Sequence, residues 1–169
     1  MSGGTFATHP LSPVSGGSVS GAHGQVNSAS FTLSNEPLER VLHVRMEGFF
    51  EEGEMQEFIR RYRKATACYG GQPYLVLADM RSMRIASLAV SQLFGGLIQE
   101  ARRQGVVCCA HLSSSTVQRL QVARLAREYS GDSDVTVHVT SLEEAREVLE
   151  AQRRRLIPGV PALRGPGRP

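Results

Sequence analysis

Short apolar runs alternate along the middle of the chain with longer segments whose apolar residues recur at helical spacing. Residues 74–77 form a continuous apolar run, as expected of a strand covered on both faces, and Asp79 ends that run. A polar segment follows, and the next apolar residues predict an amphipathic helix: Leu93, Phe94, Leu97, Ile98 and Ala101. A strand followed by a helix that packs back on the sheet is the unit of an α/β domain.

The pattern before this strand predicts a hairpin and a helix. Residues 30–34 and 41–46 alternate apolar and polar positions on either side of Pro37, which is typical of an antiparallel hairpin. Acidic residues from Glu51 and basic residues up to Lys64 stand at opposite ends of the next segment. The helix dipole favours that order of charge, so this segment is predicted to be helical.

Two further strands and two further helices follow. Residues 106–112 predict a second buried strand, residues 115–129 a helix with apolar residues nearly all round, and residues 135–139 a short strand. Ser141 and Glu144 have the spacing of a capping box and predict the start of the last helix. The sequence therefore predicts an α/β fold with a mixed five-stranded sheet in the order β-β-α-β-α-β-α-β-α and helices packed on it.

Both ends of the chain differ in composition from its middle. Residues 1–29 are rich in Gly and Ser, and residues 156–169 are rich in Pro, Gly and Arg. They contain too few apolar side chains to offset the entropy of ordering. We therefore predict two disordered tails around one domain of residues 30–155.

Length and composition exclude several classes of protein. The chain has 169 residues, which is long enough for a hydrophobic core that needs no disulfide or metal, and its formal net charge is +3. No apolar run reaches membrane-spanning length and no signal-peptide pattern begins the chain, so we expect a cytoplasmic protein without membrane contact. The basic residues 153–155 have no interleaved aromatic residues, which favours a solvated segment over a nucleic-acid site.

The sequence predicts neither a metal nor a cofactor. Cys68, Cys108 and Cys109 lack CxxC spacing and are expected to be small buried hydrophobes. His111 and His138 are expected near one sheet edge, but a metal would lack a third ligand there. The glycine-rich runs near the N-terminus follow no strand, so they do not predict a phosphate loop.

The order of elements, with three local features, resembles the STAS family, the anti-sigma-factor antagonists related to SpoIIAA. The features are the opening hairpin followed by a helix, Leu77-Ala78-Asp79-Met80 at a strand end, and Thr140-Ser141-Leu142-Glu143-Glu144-Ala145 at the start of the last helix. They cover residues 30–150. The resemblance implies a STAS-like fold and a regulatory role, with a regulatory kinase, an anti-sigma-like protein or a scaffold protein as the partner.

One motif departs from the family pattern. Phosphorylatable members carry Asp-Ser-Ser-Gly at a helix start, where this chain has Arg84-Ile85-Ala86-Ser87. Arginine therefore replaces the acidic residue, and Ile and Ala replace the serines. Ser87 and the upstream Ser82 are the hydroxyl groups that are left as candidate phosphorylation sites.

Residues 79–87 are predicted to form a polar loop at the carboxyl end of a central strand, where ligands and partners of open α/β sheets gather. Six residues are the predicted partner-binding set: Asp79, Arg81, Ser82, Arg84, Ser87 and Ser91. An ordinary polar loop with Ser87 as a helix cap would explain most of the same pattern. A candidate anion site comprises Ser113, Ser114, Ser115 and Arg119, although helix capping explains most of that pattern too.

The sequence leaves three candidate functions open. The first is a non-catalytic regulatory module that binds a protein partner, with the helix of residues 115–129 as a candidate surface for homo-oligomers. The second is a carrier of a small apolar ligand in a cavity under Phe58, Tyr62 and Phe94. The third is an enzyme of unknown class, which would need a pocket that joins Asp79 with a histidine, His43 or His111. No catalytic residue is predicted, because Asp79 has no evident nucleophile or second carboxylate beside it.

Overall fold

The structure is a computed structural model that describes residues 28–85 and 87–159. Most of both predicted tails lies outside the described residues. The elements follow the predicted order: β1 Ser30–Glu36, β2 Val41–Phe50, α1 Glu52–Thr66, β3 Tyr74–Ile85, α2 Leu88–Arg103, β4 Val106–Leu112, α3 Thr116–Ser130, β5 Thr136–Val139 and α4 Leu142–Leu156. The predicted α/β fold with a five-stranded sheet is confirmed.

The strands lie in the order β1-β2-β3-β4-β5. The first pair is antiparallel and the other three pairs are parallel, which gives the predicted mixed sheet. No helix among the described residues combines the length and the hydrophobicity that crossing a membrane requires.

Helices cover the two faces of the sheet unequally. On the first face, α1, α2 and α3 bury a large apolar core that includes Phe58, Tyr62 and Phe94. On the second face, α4 packs against β3, β4 and β5, with Leu149 in a smaller core. Alternate residues of β1 remain exposed on this second face, from Ser30 to Glu36. The β1 side of the second face is therefore open to solvent.

β2 and β3 are longer than predicted. Asp79 does not end its strand, because β3 runs on to Ile85 and pairs with residues 47–50 of β2. Gly48 lies inside β2 with a φ of 81°, beyond the predicted strand of residues 41–46. The predicted polar loop 79–87 is therefore largely strand, since Met83 is buried and the residues between the inward side chains are exposed.

The extra length of these strands forms a two-stranded arm. β4 ends at Leu112, whose pairing partner is Asp79, so β3 has no β4 partner beyond that point. We call residues 47–50 and 82–85 the arm. It is a parallel ribbon that extends past the end of β4, while Ser30 and Ser28 pair with Glu47 and Phe49 along its other edge.

Three smaller expectations need correction. Ser28 bridges Phe49, so the predicted N-terminal tail extends about two residues too far. Ile157 is buried in the smaller core, so the predicted C-terminal tail begins about two residues too early. Ile157 belongs to the domain because it is an apolar residue that the last turn of α4 places against that core. Cys68 is exposed, whereas Cys108 is buried and Cys109 is mostly buried, as predicted for those two residues.

Gly95 permits a close approach between α2 and α3. A Cβ atom at Gly95 would lie 2.3 Å from Cε2 of Tyr129. The neighbouring Gly96 has nothing within 4 Å of its Cβ position. Two adjacent glycines of one helix therefore stand in opposite environments.

We predict opposite effects of alanine at these two positions. Gly95→Ala should lower the free energy of unfolding by about 1–2 kcal/mol, because overpacking against Tyr129 outweighs the gain in helix propensity. Gly96→Ala should raise it by up to about 1 kcal/mol, because only helix propensity changes. Urea denaturation of the two variants measures both values, and equal effects would contradict the close contact.

Candidate functional site

The arm and the start of α2 bring five of the six predicted partner-binding residues to one end of the molecule. Asp79, Arg81, Ser82 and Arg84 lie along β3, and Ser87 is the N-cap of α2. The Ser87 hydroxyl oxygen accepts the backbone N–H of Val90 at 3.3 Å, as predicted. Except for Asp79, these five residues are exposed.

Ser91 does not belong to this exposed set. Its exposed fraction is 6%, and its hydroxyl donates to the carbonyl oxygen of Ser87 at 3.2 Å. Ser91 lies one turn before Gly95 and on the buried side of α2, so the prediction that it faces solvent is wrong. Gln92 and Gln99 are exposed polar residues of this helix.

Asp79 and Arg81 form an ion pair across an irregularity in β3. Arg45 pairs with Asp79 and Glu47 with Ser82, so two residues of β3 face one residue of β2. Asp79 accepts the Arg81 side chain through two bonds, from Nε at 2.9 Å and Nη2 at 2.8 Å. The backbone N–H of Arg81 also donates to Asp79 Oδ1 at 3.3 Å. The pair thus closes a β-bulge at its own position.

The same pair decides the ionisation of Asp79. Its hydrogen bonds from Arg81 hold the pKa of the Asp79 carboxyl below its usual range, against the opposing effect of burial. The carboxylate is therefore ionised and engaged on both oxygens. Its structural task is to fix the bulge, which leaves it poorly suited to act as a general base.

Two apolar residues that sequence analysis missed lie beside the predicted set. Phe49 is 41% exposed and pairs with Arg84 across the arm, so both side chains are on the same face. Leu88, the first residue of α2, is 70% exposed. The alternation of β2 through Gly48 was the signal that could have placed Phe49 outward and Phe50 inward. We call the following residues the arm surface: Phe49, Arg81, Ser82, Arg84, Ser87 and Leu88.

Gln118 of α3 attaches the free edge of β3 to the helical layer. Its side-chain amide donates to the carbonyl oxygens of Met80 and Met83, the latter at 3.0 Å. Its own side-chain oxygen accepts the backbone N–H of Ser114 at 3.2 Å. These carbonyl groups have no β4 partner, so Gln118 supplies hydrogen bonds that a neighbouring strand would otherwise make.

Helix capping accounts for part of the predicted anion site. The Ser115 hydroxyl oxygen accepts the backbone N–H of Gln118 at 3.2 Å, and the backbone N–H of Ser114 donates to the side-chain oxygen of Gln118. Ser113 is half-buried and Arg119 is exposed. Anion binding at these residues stays a prediction.

The two histidines on neighbouring strands meet, as expected. His111 and His138 pair across β4 and β5, with 3.1 Å between their Nδ1 atoms. Burial, and then His138, lower the pKa of His111 to about 4. Burial, and then Arg119, also lower the pKa of His138. Within residues 28–85 and 87–159, no group of three His, Cys, Asp or Glu residues could hold a metal ion.

The pocket that an enzyme hypothesis required does not form with His111. Ala78 pairs with His111, and Asp79 pairs with Leu112. Because side chains alternate along a strand, His111 and Asp79 lie on opposite faces of the sheet. His43 shares the face of Asp79, but it is paired with Leu77, whereas Arg45 is the residue opposite Asp79.

A cavity of about 80 Å³ lies between the sheet and α1–α3, at the place where sequence analysis put a candidate ligand cavity. Phe58, Tyr62 and Phe94 all line it.

Comparison with known proteins supports the fold. A crystal structure of an uncharacterised protein from the DUF3478 family of Shewanella loihica PV-4, with a SpoIIAA-like fold, matches with a TM-score of 0.56 and 12% identity, over 72% of this chain and 93% of that chain. The SpoIIAA-like fold that the sequence predicted is therefore confirmed.

Two anti-sigma factor antagonists give weaker matches. The protein from Mycobacterium paratuberculosis has a TM-score of 0.49 and 10% identity, over 72% of this chain and 94% of that chain. Unphosphorylated SpoIIAA has a TM-score of 0.47 and 14% identity, over 70% of this chain and 96% of that chain. No protein-family model matches the sequence, and no curated protein is significantly similar to it.

We predict that Gln118 stabilises the arm. Gln118→Glu keeps the shape of the side chain but removes both donors, so it should lower the free energy of unfolding by about 2 kcal/mol. Hydrogen exchange of residues 82–85 should accelerate at the same time. Gln121→Glu makes the same change of charge one turn along α3 and should leave that exchange unchanged. Equal effects of the two variants would show that charge, and not the bonds to Met80 and Met83, is responsible.

We also predict that stability falls between pH 7 and pH 5. The pKa of His111 is about 4 in the folded protein and 6.5 without burial, so the unfolded chain takes up the proton first. For this group, the free energy of unfolding should fall by about 2 kcal/mol over that interval. His111→Leu should reduce the pH dependence by that amount in denaturation series at each pH. An unchanged slope would contradict the buried neutral state of His111.

Proposed function

We propose that this protein is a non-catalytic regulatory module that binds a partner protein through the arm surface. The observation that carries the proposal is the pairing of exposed Phe49 with exposed Arg84, beside exposed Leu88. Aromatic residues and arginine are enriched in protein interfaces and supply much of their binding energy. The partner class stays a prediction from the sequence resemblance: a regulatory kinase, an anti-sigma-like protein or a scaffold.

The arm is held in place on two sides, which favours recognition. The Asp79–Arg81 pair fixes the bulge at its base, and Gln118 bonds to the edge that β4 leaves free. A surface that is already ordered loses little conformational entropy when a partner binds. These contacts therefore support binding by a rigid surface.

Charge defines the chemistry of the partner. Arg84 forms no ion pair with any carboxylate of the described residues, and its neighbour Phe49 is apolar. A complementary surface would offer a carboxylate to Arg84 and an apolar pocket to Phe49.

Phosphorylation of Ser82 or Ser87 would act on this surface directly. Both side chains are exposed, and Ser82 stands between Arg81 and Arg84 along the strand. A phosphate group adds negative charge, so it would offset the positive charge of the arginines and weaken the binding of an acidic partner. At Ser87 the phosphate would also sit favourably at the N-terminus of α2.

The test is affinity capture with matched variants. We expect the double variant Phe49→Ala/Arg84→Ala to capture at least about tenfold less of each partner that the wild-type protein enriches from a lysate of the source cell. Leu120→Ala/Arg124→Ala removes the same kinds of side chain from α3, where Leu120 is 60% exposed, and should retain the partner. Quantitative mass spectrometry of the captured proteins measures both, and titration of the purified partner gives the affinities.

Two outcomes would contradict the proposal. One is recovery of the same partners in the same amounts with the arm variant. The other is loss of the captured partners with the α3 variant alone. That result would locate partner binding on α3, where Val117 and Leu120 are exposed.

A further inference from the structure

The cavity between the sheet and α1–α3 has an almost entirely apolar body. Side chains from three helices and four strands line it, including Phe58, Tyr62 and Phe94 with Val44, Val76 and Leu97. Preformed apolar cavities with a few polar groups at fixed positions are the usual form of small-molecule sites.

One end of the cavity is polar. Arg102, at the end of α2, and Ser130, at the end of α3, both line it. Arg102 Nε and Ser130 Oγ are buried atoms without a hydrogen-bond partner among the described residues. The described residues contain one other buried side-chain atom of this kind, Nε2 of His111, which does not line the cavity.

Arg102 also has an uncompensated charge. Its Nη1 donates to the carbonyl oxygen of Val106 at 2.5 Å, which fixes the guanidinium group. No carboxylate of the described residues forms an ion pair with it. A half-buried cation that lacks an ion pair and a buried hydroxyl that lacks a hydrogen bond are costly unless a ligand or water satisfies them.

We propose that this cavity binds a small amphipathic carboxylate. A short apolar chain would lie among Phe58, Tyr62 and Phe94. The carboxylate would accept hydrogen bonds from Arg102 Nε and Ser130 Oγ, which are donors to an anionic group. This site is separate from the arm surface, so it does not depend on the proposed partner binding.

Exposure of the lining residues indicates where the cavity opens. Asp134, which follows Ser130 closely in the chain, is exposed, and Val135 and Thr136 are half-exposed, which favours an opening near the polar end. Asp134 Oδ1 accepts the backbone N–H of Thr136 at 2.9 Å. Asp134 is the one acidic residue among the lining residues, and its repulsion of a bound carboxylate is weaker than that of a buried carboxylate would be, because solvent screens an exposed charge better.

The test uses the full chain and a series of simple probes. Sodium butanoate, hexanoate and octanoate, with the matching primary alcohols, are titrated by calorimetry. We expect one acid of the series to bind with saturation at one site per chain. Arg102→Leu should lower the affinity for that acid by at least about tenfold and leave the affinity for the matching alcohol unchanged, because the alcohol reports on the apolar body of the cavity alone.

Two further variants locate the site. Ala101→Leu adds three carbon atoms to the lining of the cavity and should abolish binding of both acid and alcohol. Arg103→Leu removes the exposed neighbouring arginine, which does not line the cavity, and should bind as wild type does. Thermal unfolding confirms that each variant is folded before titration.

Three results would overturn the proposal. Failure of every acid to bind wild type would leave the polar end to ordered water alone. Undiminished binding to Ala101→Leu would place the site outside the cavity. Equal affinity of the acid for wild type and Arg102→Leu would exclude the carboxylate as the head group.

Discussion

The ion pair between Asp79 and Arg81 is the interaction on which the exposed end of the molecule depends. β3 is the central strand of the sheet, and at this pair it leaves β4 while it stays bonded to β2. The carboxylate bonds both the guanidinium group and the backbone of Arg81, so the bulge is held by charge as well as by pairing. β3, whose pairing with β4 ends at Asp79, therefore continues as one of the two strands of the arm.

α3 connects the two regions for which we propose binding. Its first turn carries Gln118, which bonds to the arm, and its last residue is Ser130, which lines the cavity. The close contact of Tyr129 with Gly95 holds the other end of α3 against α2. One helix therefore takes part in the support of the arm surface and in the wall of the cavity.

Local signals made most of the fold predictable. Ser87 and Ser115 cap their helices because a hydroxyl before an apolar repeat has that role wherever it occurs. The extension of β3 was not predicted, because the bulge shifts the alternation of inward and outward residues by one position between Met80 and Ser82. Two polar residues, Arg81 and Ser82, are then adjacent in the sequence, which is a pattern typical of a loop.

The candidate site was predictable in position but not in composition. Asp79, Arg81, Ser82, Arg84 and Ser87 were placed by the rule that partners gather at the carboxyl ends of central strands. The alternation of β2 through Gly48 could have placed Phe49 outward, but its pairing with Arg84 is tertiary, and no local pattern encodes it. The exposure of Leu88 beside this pair is likewise a tertiary feature. Ser91 was misplaced because a serine on a helix suggests solvent, whereas its hydroxyl can bond to the carbonyl group one turn earlier.

The bulge also absorbs one residue of chain length at the base of the arm. Met80 and Arg81 together face Met46, yet Ser82 pairs with Glu47 and Arg84 with Phe49. Removal of one of the two bulge residues would give regular pairing and leave the following side chains on their present faces, because paired residues share a face. The ladder of the arm therefore does not require the extra residue. What the extra residue adds is a position from which Arg81 reaches Asp79 with both its side chain and its backbone.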